Sequence, residues 1–243
     1  AGKWELVEAL GSDGVAVLPA GDARLTERGW ANVVTFGGTG ADVSASDVEL
    51  DECALPAFRL HTPSGTIRVR LGIAGRHQVA NATAAAAAAL AVGAGLGDIA
   101  AGLEQARGAV WRFEIHRGRF VVINDAYNAN PDSTEAALRA VAEMVESPLA
   151  VLGLMAELGP VAREEHLRIG RLAAALGFSA VVVGEDPGIA EGFGPGAVSV
   201  VDADDAYEAV MSRIAGHDAV MVKASRVVHL EGLAQRLAEE AAR

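Results

Sequence analysis

The segment INDAYNANPDS (123–133) follows an apolar run, precedes a helix-like stretch and crowds Asp125, Tyr127, Asn128, Asn130, Pro131 and Ser133 into one turn. Two or three such residues are enough to reverse a chain, so the surplus polarity marks a candidate ligand surface. Asp125, directly after a strand, is placed as acids that accept ribose hydroxyls are placed, although Asp is also a common turn-former. In VMVKASR (220–226), Lys223 and Arg226 end another strand. They are two cations able to meet an anionic ligand or a developing charge, or else a solvated turn.

Three further strings carry usable groups. GLMAELGPVAREEHLRIG (153–170) places Glu157 in a loop after a strand and His166 inside the next helix, where it reads as a helix-face residue. GRHQVANA (75–82) puts His77, Gln78 and Asn81 at a helix entry. A carboxamide offers both a donor and an acceptor to an adenine edge, while helix capping is the simpler use. Arg112, in VWRFE, has the planar fork that grips phosphate, though most surface arginines do nothing so specific. No G-x-x-x-x-G-K-[ST] phosphate loop occurs, and GGTGADVS (37–44) lacks the lysine. H-E-x-x-H and G-x-S-x-G are also missing, which argues against zinc-peptidase and α/β-hydrolase chemistry.

These residues need elements to hold them. Beyond Gly108, the runs RFVVIND, PLAVLGL, SAVVVGE, AVSVVD and DAVMVKA alternate with helical stretches at 134–146, 163–176, 204–215 and 227–242. Alternating β and α units predict an α/β fold with a mainly parallel sheet covered on both faces. Ligands in such folds gather at the carboxyl ends of strands, here the loops 124–133, 153–160, 184–188 and 223–226. Before Gly108 the pattern differs. A short helix over 3–10, a strand within 14–22, strands from 30 to 73 with a hairpin at TPSG, an Ala-rich helix over 75–95 and a second helix starting near Asp98 are expected.

Composition narrows the partners. The 243 residues are 51% apolar, enough for two ordinary domains. A net charge of −12 disfavours an electrostatic grip on nucleic acid or an anionic membrane, so any phosphate must be held locally. No uninterrupted apolar stretch predicts membrane insertion, and the start lacks the pattern of a signal peptide. Cys53 is the one cysteine, which fits a reducing cytosol and a cytoplasmic protein.

Taken in order and at their intervals, KWELVEALGSDGVAVLPAGD, GRHQVANATAAAA, INDAYNANPDS, LGLMAELGPVAREEHLRIG and VKASR closely resemble the Mur ligase family. Within it they resemble the branch that adds D-Ala-D-Ala to a UDP-N-acetylmuramoyl tripeptide. YNANP is that branch's string, and the DNPR string of the diaminopimelate-adding branch is absent. The resemblance runs from residue 1 to about 240 and covers the later half of such enzymes. It implies the carboxyl-terminal part of the central ATPase domain over 1–108 and a Rossmann-like carboxyl-terminal domain over 109–243. The UDP-sugar domain and the phosphate loop belong to the half not covered. A fragment, probed alone, is then expected to show no ligation and at most weak nucleotide binding.

The family's chemistry implies roles. ATP phosphorylates the tripeptide carboxylate, and the dipeptide amine attacks the acyl phosphate, with Mg2+ and basic groups neutralising charge. By resemblance, Asn81 and Gln78 face adenine, Arg112 a phosphate and Asp125 the ribose, while His77 is structural. Lys3 matches a lysine that, once carbamylated, helps hold magnesium. Asn128, Asn130 and Glu157 face D-Ala-D-Ala, with Lys223 and Arg226 near its carboxylate or the transferring phosphate. A monomer is expected. Four departures from the pattern stand out: Leu154 for an acid, Ala224 for a glycine, Gln78 for an asparagine and LPAG for LNAD. Two other readings remain, namely a relative of folylpolyglutamate or cyanophycin synthetases on the same scaffold, and a non-catalytic nucleotide- or partner-binding module.

Overall fold

The computed structural model describes residues 4–243 and divides into two compact units, Ala1–Arg107 and Gly108–Arg243. In the first, helix α1 (Glu5–Glu8) leads to strand β1 (Ala16–Pro19), then helix α2 (Ala23–Thr26) and strands β2 (Val33–Gly37), β3 (Val43–Leu50), β4 (Pro56–Thr62) and β5 (Gly65–Arg70). They form one sheet in sequence order, parallel from β1 to β3 and antiparallel from β3 to β5. The TPSG turn closes the β4–β5 hairpin, with Thr62 paired to Gly65.

Helices α3 (Gln78–Ala91) and α4 (Leu96–Gln105) follow. Along α3 the buried residues Val79, Ala82, Thr83, Ala86 and Ala87 recur at helical spacing and make one inward stripe. Methyl side chains there join a core with Val43, Phe58, Leu60 and Val69 of the sheet and Ile99 and Leu103 of α4. The Ala run is thus the contact face of a closely packed helix. Its first turn buries Val79 and carries Gln78 and Asn81 beside it.

The second unit contains β6 (Glu114–Arg117), β7 (Val121–Asn124), α5 (Pro131–Met144), β8 (Pro148–Gly153), α6 (Ala162–Ala175), β9 (Ser179–Val183), α7 (Ile189–Phe193), β10 (Val198–Val200), α8 (Ala203–Met211), β11 (Ala219–Lys223) and α9 (Glu231–Ala241). Its sheet order is β10-β9-β8-β11-β7-β6, parallel except for β6, which pairs antiparallel with β7. The central strands β8 and β11 are buried at every residue, as a sheet covered on both faces requires. Alternate strand residues divide accordingly. Val122, Val151, Val220 and Val222 pack with α8 and α9, while Ile123, Ala150, Leu152 and Met221 pack with α5, α6 and α7.

This order creates the place where a ligand fits. The loop after β8 leads to a helix on one face, and the loop after its neighbour β11 leads to a helix on the other. Loops that part in opposite directions leave a crevice at the carboxyl ends of those strands. Two elements went beyond the alternating pattern of apolar runs. Strand β6 (EIHR) is a half-exposed edge with little apolar signal, and α7 is only five residues long.

Helices α6 and α7 touch through glycines. A Cβ on Gly170 would lie 2.1 Å from the Ile189 carbonyl oxygen, and one on Gly192 would lie 2.2 Å from that of Leu167. Gly170→Ala must push backbone apart and is expected to cost about 1–3 kcal/mol or more, read as a lower urea midpoint; an unchanged midpoint would contradict this packing. Between α5 and α6, Glu135 accepts from Arg168 and from Arg139. The Arg168 hydrogen bond, then that of Arg139, holds the Glu135 carboxyl below its ordinary range. A folded value depressed below the unfolded one stabilises at pH above the unfolded value, and the benefit is lost as pH falls through the folded value. Glu135→Gln should therefore flatten the acid side of a plot of urea midpoint against pH, and an unaltered slope would count against the bridge.

Candidate functional site

The end of β11 supplies the site's internal cation. Lys223 is 2% exposed, and its Nζ donates to Asp125 Oδ2 at 2.6 Å and to the Asn128 carbonyl at 2.9 Å. Asp125, just past β7, also accepts the Phe113 N–H on Oδ1 at 3.1 Å. One ion pair therefore joins the ends of β11 and β7 to the segment that enters β6. A buried ammonium is tolerable only when paired and hydrogen-bonded, and here both conditions hold.

Two residues on, Ser225 is equally buried and works through its hydroxyl. Its Oγ accepts the Ala156 N–H at 2.8 Å and donates to the Ala129 carbonyl at 3.1 Å, while its own N–H donates to the Leu154 carbonyl at 2.9 Å. The loops after β7, β8 and β11 are thus fastened through one side chain. From α6, the buried His166 completes the set. Its Nε2 accepts the Met155 N–H at 2.8 Å, so Nδ1 carries the proton given to the Ala162 carbonyl at 2.6 Å. His166 faces inward and holds the loop after β8, which is a structural use rather than that of a base.

These loops enclose a cavity of about 700 Å³ whose polar lining includes Asn128, Asn130, Glu157, Ser225 and Arg226 beside Tyr127. The loop 184–188 does not line it. Its charged side chains are one carboxylate, Glu157, and one guanidinium, Arg226, and both residues are exposed. The backbone around it is strained: Glu157 has φ +65°, Trp111 φ +60° and Phe113 φ +55°. Residues with a Cβ pay for the left-handed region, roughly 1–3 kcal/mol each, and keep it only where their surroundings enforce it.

Arg112, Asp125, Asn128, Asn130, Glu157, Lys223 and Arg226 all fall in the second unit, at the carboxyl ends of its strands or beside them. Arg112 stacks on the Tyr127 ring, 4.1 Å from its centroid. Gln78 and Asn81 belong to the first unit, where the Asn81 amide donates to Gln78 Oε1 at 2.7 Å. Lys3 lies outside the described residues. Three residues do something other than face a ligand outright. Asn130 Oδ1 accepts the Ser133 N–H at 2.8 Å and the Ser133 hydroxyl accepts the Asn130 N–H at 3.2 Å, a capping box that starts α5 behind Pro131. Lys223 and Asp125 spend their charges on each other, so their oppositely charged ends stabilise the loop from inside. Ala224, where the family pattern has glycine, is wholly buried and faces Gly153, whose missing side chain leaves room for its methyl.

Sequence reasoning passed over Ser225 and Trp111 and gave Tyr127, though named in the turn, no role of its own. Each adjoins a residue it did select, but a hydroxyl or an aromatic ring declares its partner only once strands far apart in sequence are neighbours. Among the described residues no group of three His, Cys, Asp or Glu side chains is arranged to hold a metal, and no helix is long and apolar enough to cross a membrane. The buried pair makes a clear prediction. Lys223→Met leaves Asp125 uncompensated and should lower stability by about 3–5 kcal/mol, whereas Lys223→Met with Asp125→Asn should recover much of it. Urea denaturation of the three proteins decides this, and equal losses in single and double variants would refute the pairing.

The same geometry can be set beside known proteins. The Mur ligase middle domain matches residues 1–89, and the Mur ligase glutamate ligase domain matches residues 111–226. The UDP-N-acetylmuramoyl-tripeptide–D-alanyl-D-alanine ligase of Mycobacterium tuberculosis (strain CDC 1551 / Oshkosh) is 41% identical over 97% of this chain and 53% of its own length. The chain thus spans about half the length of the curated relatives it matches. Among solved structures, MurF from Acinetobacter baumannii superposes with a TM-score of 0.85 at 34% identity, covering 98% of this chain and 54% of that one. The MurF ligase of Thermotoga maritima in complex with ADP shares the fold, at a TM-score of 0.83 and 22% identity over 98% of this chain and 56% of that one. With both domains matched in order and 41% identity sustained along nearly the whole sequence, the chain belongs to the Mur ligase family, on its MurF branch.

Proposed function

We propose that this chain supplies the acceptor cavity and part of the nucleotide site of an ATP-dependent ligase that joins D-Ala-D-Ala to a UDP-N-acetylmuramoyl tripeptide in peptidoglycan precursor synthesis. The observation that carries this reading is the cavity at the ends of β7, β8 and β11, which offers one carboxylate, one guanidinium and two asparagines. That set suits a small zwitterion. Glu157 meets its ammonium end, Asn128 and the amide nitrogen of Asn130 take its carbonyl, and Arg226 meets negative charge, from the dipeptide carboxylate or from the phosphoryl group in transfer.

The reaction asks the protein for position more than for covalent chemistry. The ammonium first gives one proton to water. The amine nitrogen then attacks the carbonyl carbon of the acyl phosphate, the bond from that carbon to the phosphate oxygen breaks, inorganic phosphate leaves, and the nitrogen gives up a second proton, which the leaving phosphate can take. Holding the amine beside the carbonyl converts a bimolecular encounter into a local one, and a fixed guanidinium offsets charge on the leaving phosphate. Fastened loops serve that purpose, since Ser225, Lys223 and His166 hold the three walls in register.

For the nucleotide, residues 1–108 contribute Gln78 and Asn81 toward adenine, as the later part of the central ATP-binding domain. Residues 109–243, the acceptor domain, contribute Arg112 toward phosphate and the remaining lone pairs of Asp125 toward ribose. That a MurF ligase of the same fold, from Thermotoga maritima, was solved with ADP supports a nucleotide as the ligand. Mg2+ would supply charge neutralisation at the transferred phosphoryl group, and carbamylated Lys3 is its proposed holder. The reaction belongs to the cytoplasm, where UDP-linked precursors are made.

The test uses the full-length protein with ATP, a UDP-N-acetylmuramoyl tripeptide and a panel of amino acceptors, with phosphate release as the readout. D-Ala-D-Ala should be preferred, and Glu157→Gln should raise its KM about tenfold while leaving the KM for ATP unchanged. Equal use of other acceptors would overturn the reading.

A further inference from the structure

Tyr127 has no role in the function just described, yet its surroundings are unusual. Its ring carries the Arg112 guanidinium at 4.1 Å and the Arg226 guanidinium at 5.7 Å from its centroid, and Arg226 also lies 4.6 Å from the Trp111 ring. Two cations thus share one aromatic platform within a Debye length of each other. Like charges this close repel. The ring offsets part of that cost, and an anion reached by both guanidiniums would offset the rest.

The backbone points the same way. Arg112 sits between Trp111 and Phe113, both in the left-handed region. Each is tied: the Trp111 carbonyl accepts the Tyr127 N–H at 3.1 Å, and the Phe113 N–H donates to Asp125 Oδ1. Strain on both sides of an exposed arginine, enforced by two hydrogen bonds, is the pattern of a side chain aimed for use. Among the described residues, Arg112 has no acidic partner. Arg226 has Glu231 only at 3.9 Å, so its charge is little neutralised.

We propose that Tyr127 is a positioning residue, holding Arg112 and Arg226 as a two-guanidinium clamp for a phosphoryl dianion at the rim of the acceptor cavity. This deepens the proposed function and rests on it for the identity of the anion, the phosphate leaving the acyl phosphate. It gives Arg226 the phosphate and leaves the dipeptide carboxylate to the amides. The ring matters and its hydroxyl does not, because stacking uses the π face.

Inorganic tripolyphosphate is titrated into the 243-residue chain, with calorimetry and Trp fluorescence as readouts and acetate as the carboxylate control. The unaltered chain and Tyr127→Phe should bind tripolyphosphate alike, and Tyr127→Leu should bind about tenfold more weakly. Arg112→Ala combined with Tyr127→Leu should lose less than the two single changes together. Tyr127 is 40% exposed, so a matched urea midpoint for the leucine variant separates this effect from unfolding. Four results would overturn the clamp: no binding by the unaltered chain, an unaltered Kd in Tyr127→Leu, equal losses for leucine and phenylalanine, or acetate binding as tightly as tripolyphosphate. Ligase assays of the full-length protein are read separately. Coupled anion binding without D-Ala-D-Ala ligation would sink the proposed function and leave the clamp, and ligation indifferent to Tyr127→Leu would do the reverse.

Discussion

The second unit is organised around a single buried ammonium. Lys223 ends a strand that is inaccessible along its whole length, and a charge there has to be matched or the strand cannot sit in the sheet. Asp125 matches it, and because Asp125 comes from the neighbouring strand, the match fixes the relative height of two strand ends. A second proton goes to the carbonyl of Asn128, which sets the course of the loop. Charge satisfaction in the interior therefore dictates the shape of the exterior. The rim of the cavity is tied by hydrogen bonds to the core it grows from.

Around that pair, ties of smaller individual strength act on the same loops. A serine hydroxyl with both its donor and acceptor used, a histidine with both ring nitrogens used, and a capping box at the start of α5 leave little freedom between residues 124 and 133 or 153 and 158. Such over-determination is what allows Glu157, Trp111 and Phe113 to stay in left-handed backbone. These are three of the six described non-glycine residues with positive φ, and the cohesion that sustains them lies one layer beneath.

The two units differ in how much their sequences disclose. In the second, Val- and Ile-rich runs separated by helical spacing read directly as a covered parallel sheet, because strands buried on both faces need apolar residues at every position. Edge strand β6 escaped, since an edge needs few apolar residues and EIHR has the look of a loop. In the first, the Ala run was legible as a helix and the TPSG hairpin as a turn, but the pairing of β2 with β1 and β3 depends on contacts that no local string encodes.

The candidate site shows the same division. Residue types and their position after strands were enough to single out Asp125, Glu157, Lys223 and Arg226, because the carboxyl ends of a parallel sheet converge whatever their sequence, whereas Asn128 and Asn130 were set apart from the turn's other polar residues by the family resemblance. By itself the sequence determined the α/β class and pointed to the loops after β7, β8 and β11 with the chemical groups on them, along with 184–188, which lies outside the cavity lining. Only the tertiary structure decided that Lys223 faces inward to Asp125 while Arg226 faces outward, that Ser225 bridges three loops and that Tyr127 gathers two arginines. The reason is physical: an element's periodicity is written in neighbouring residues, whereas the partner of a charge, a hydroxyl or a ring is chosen by whichever distant strand the sheet order brings beside it.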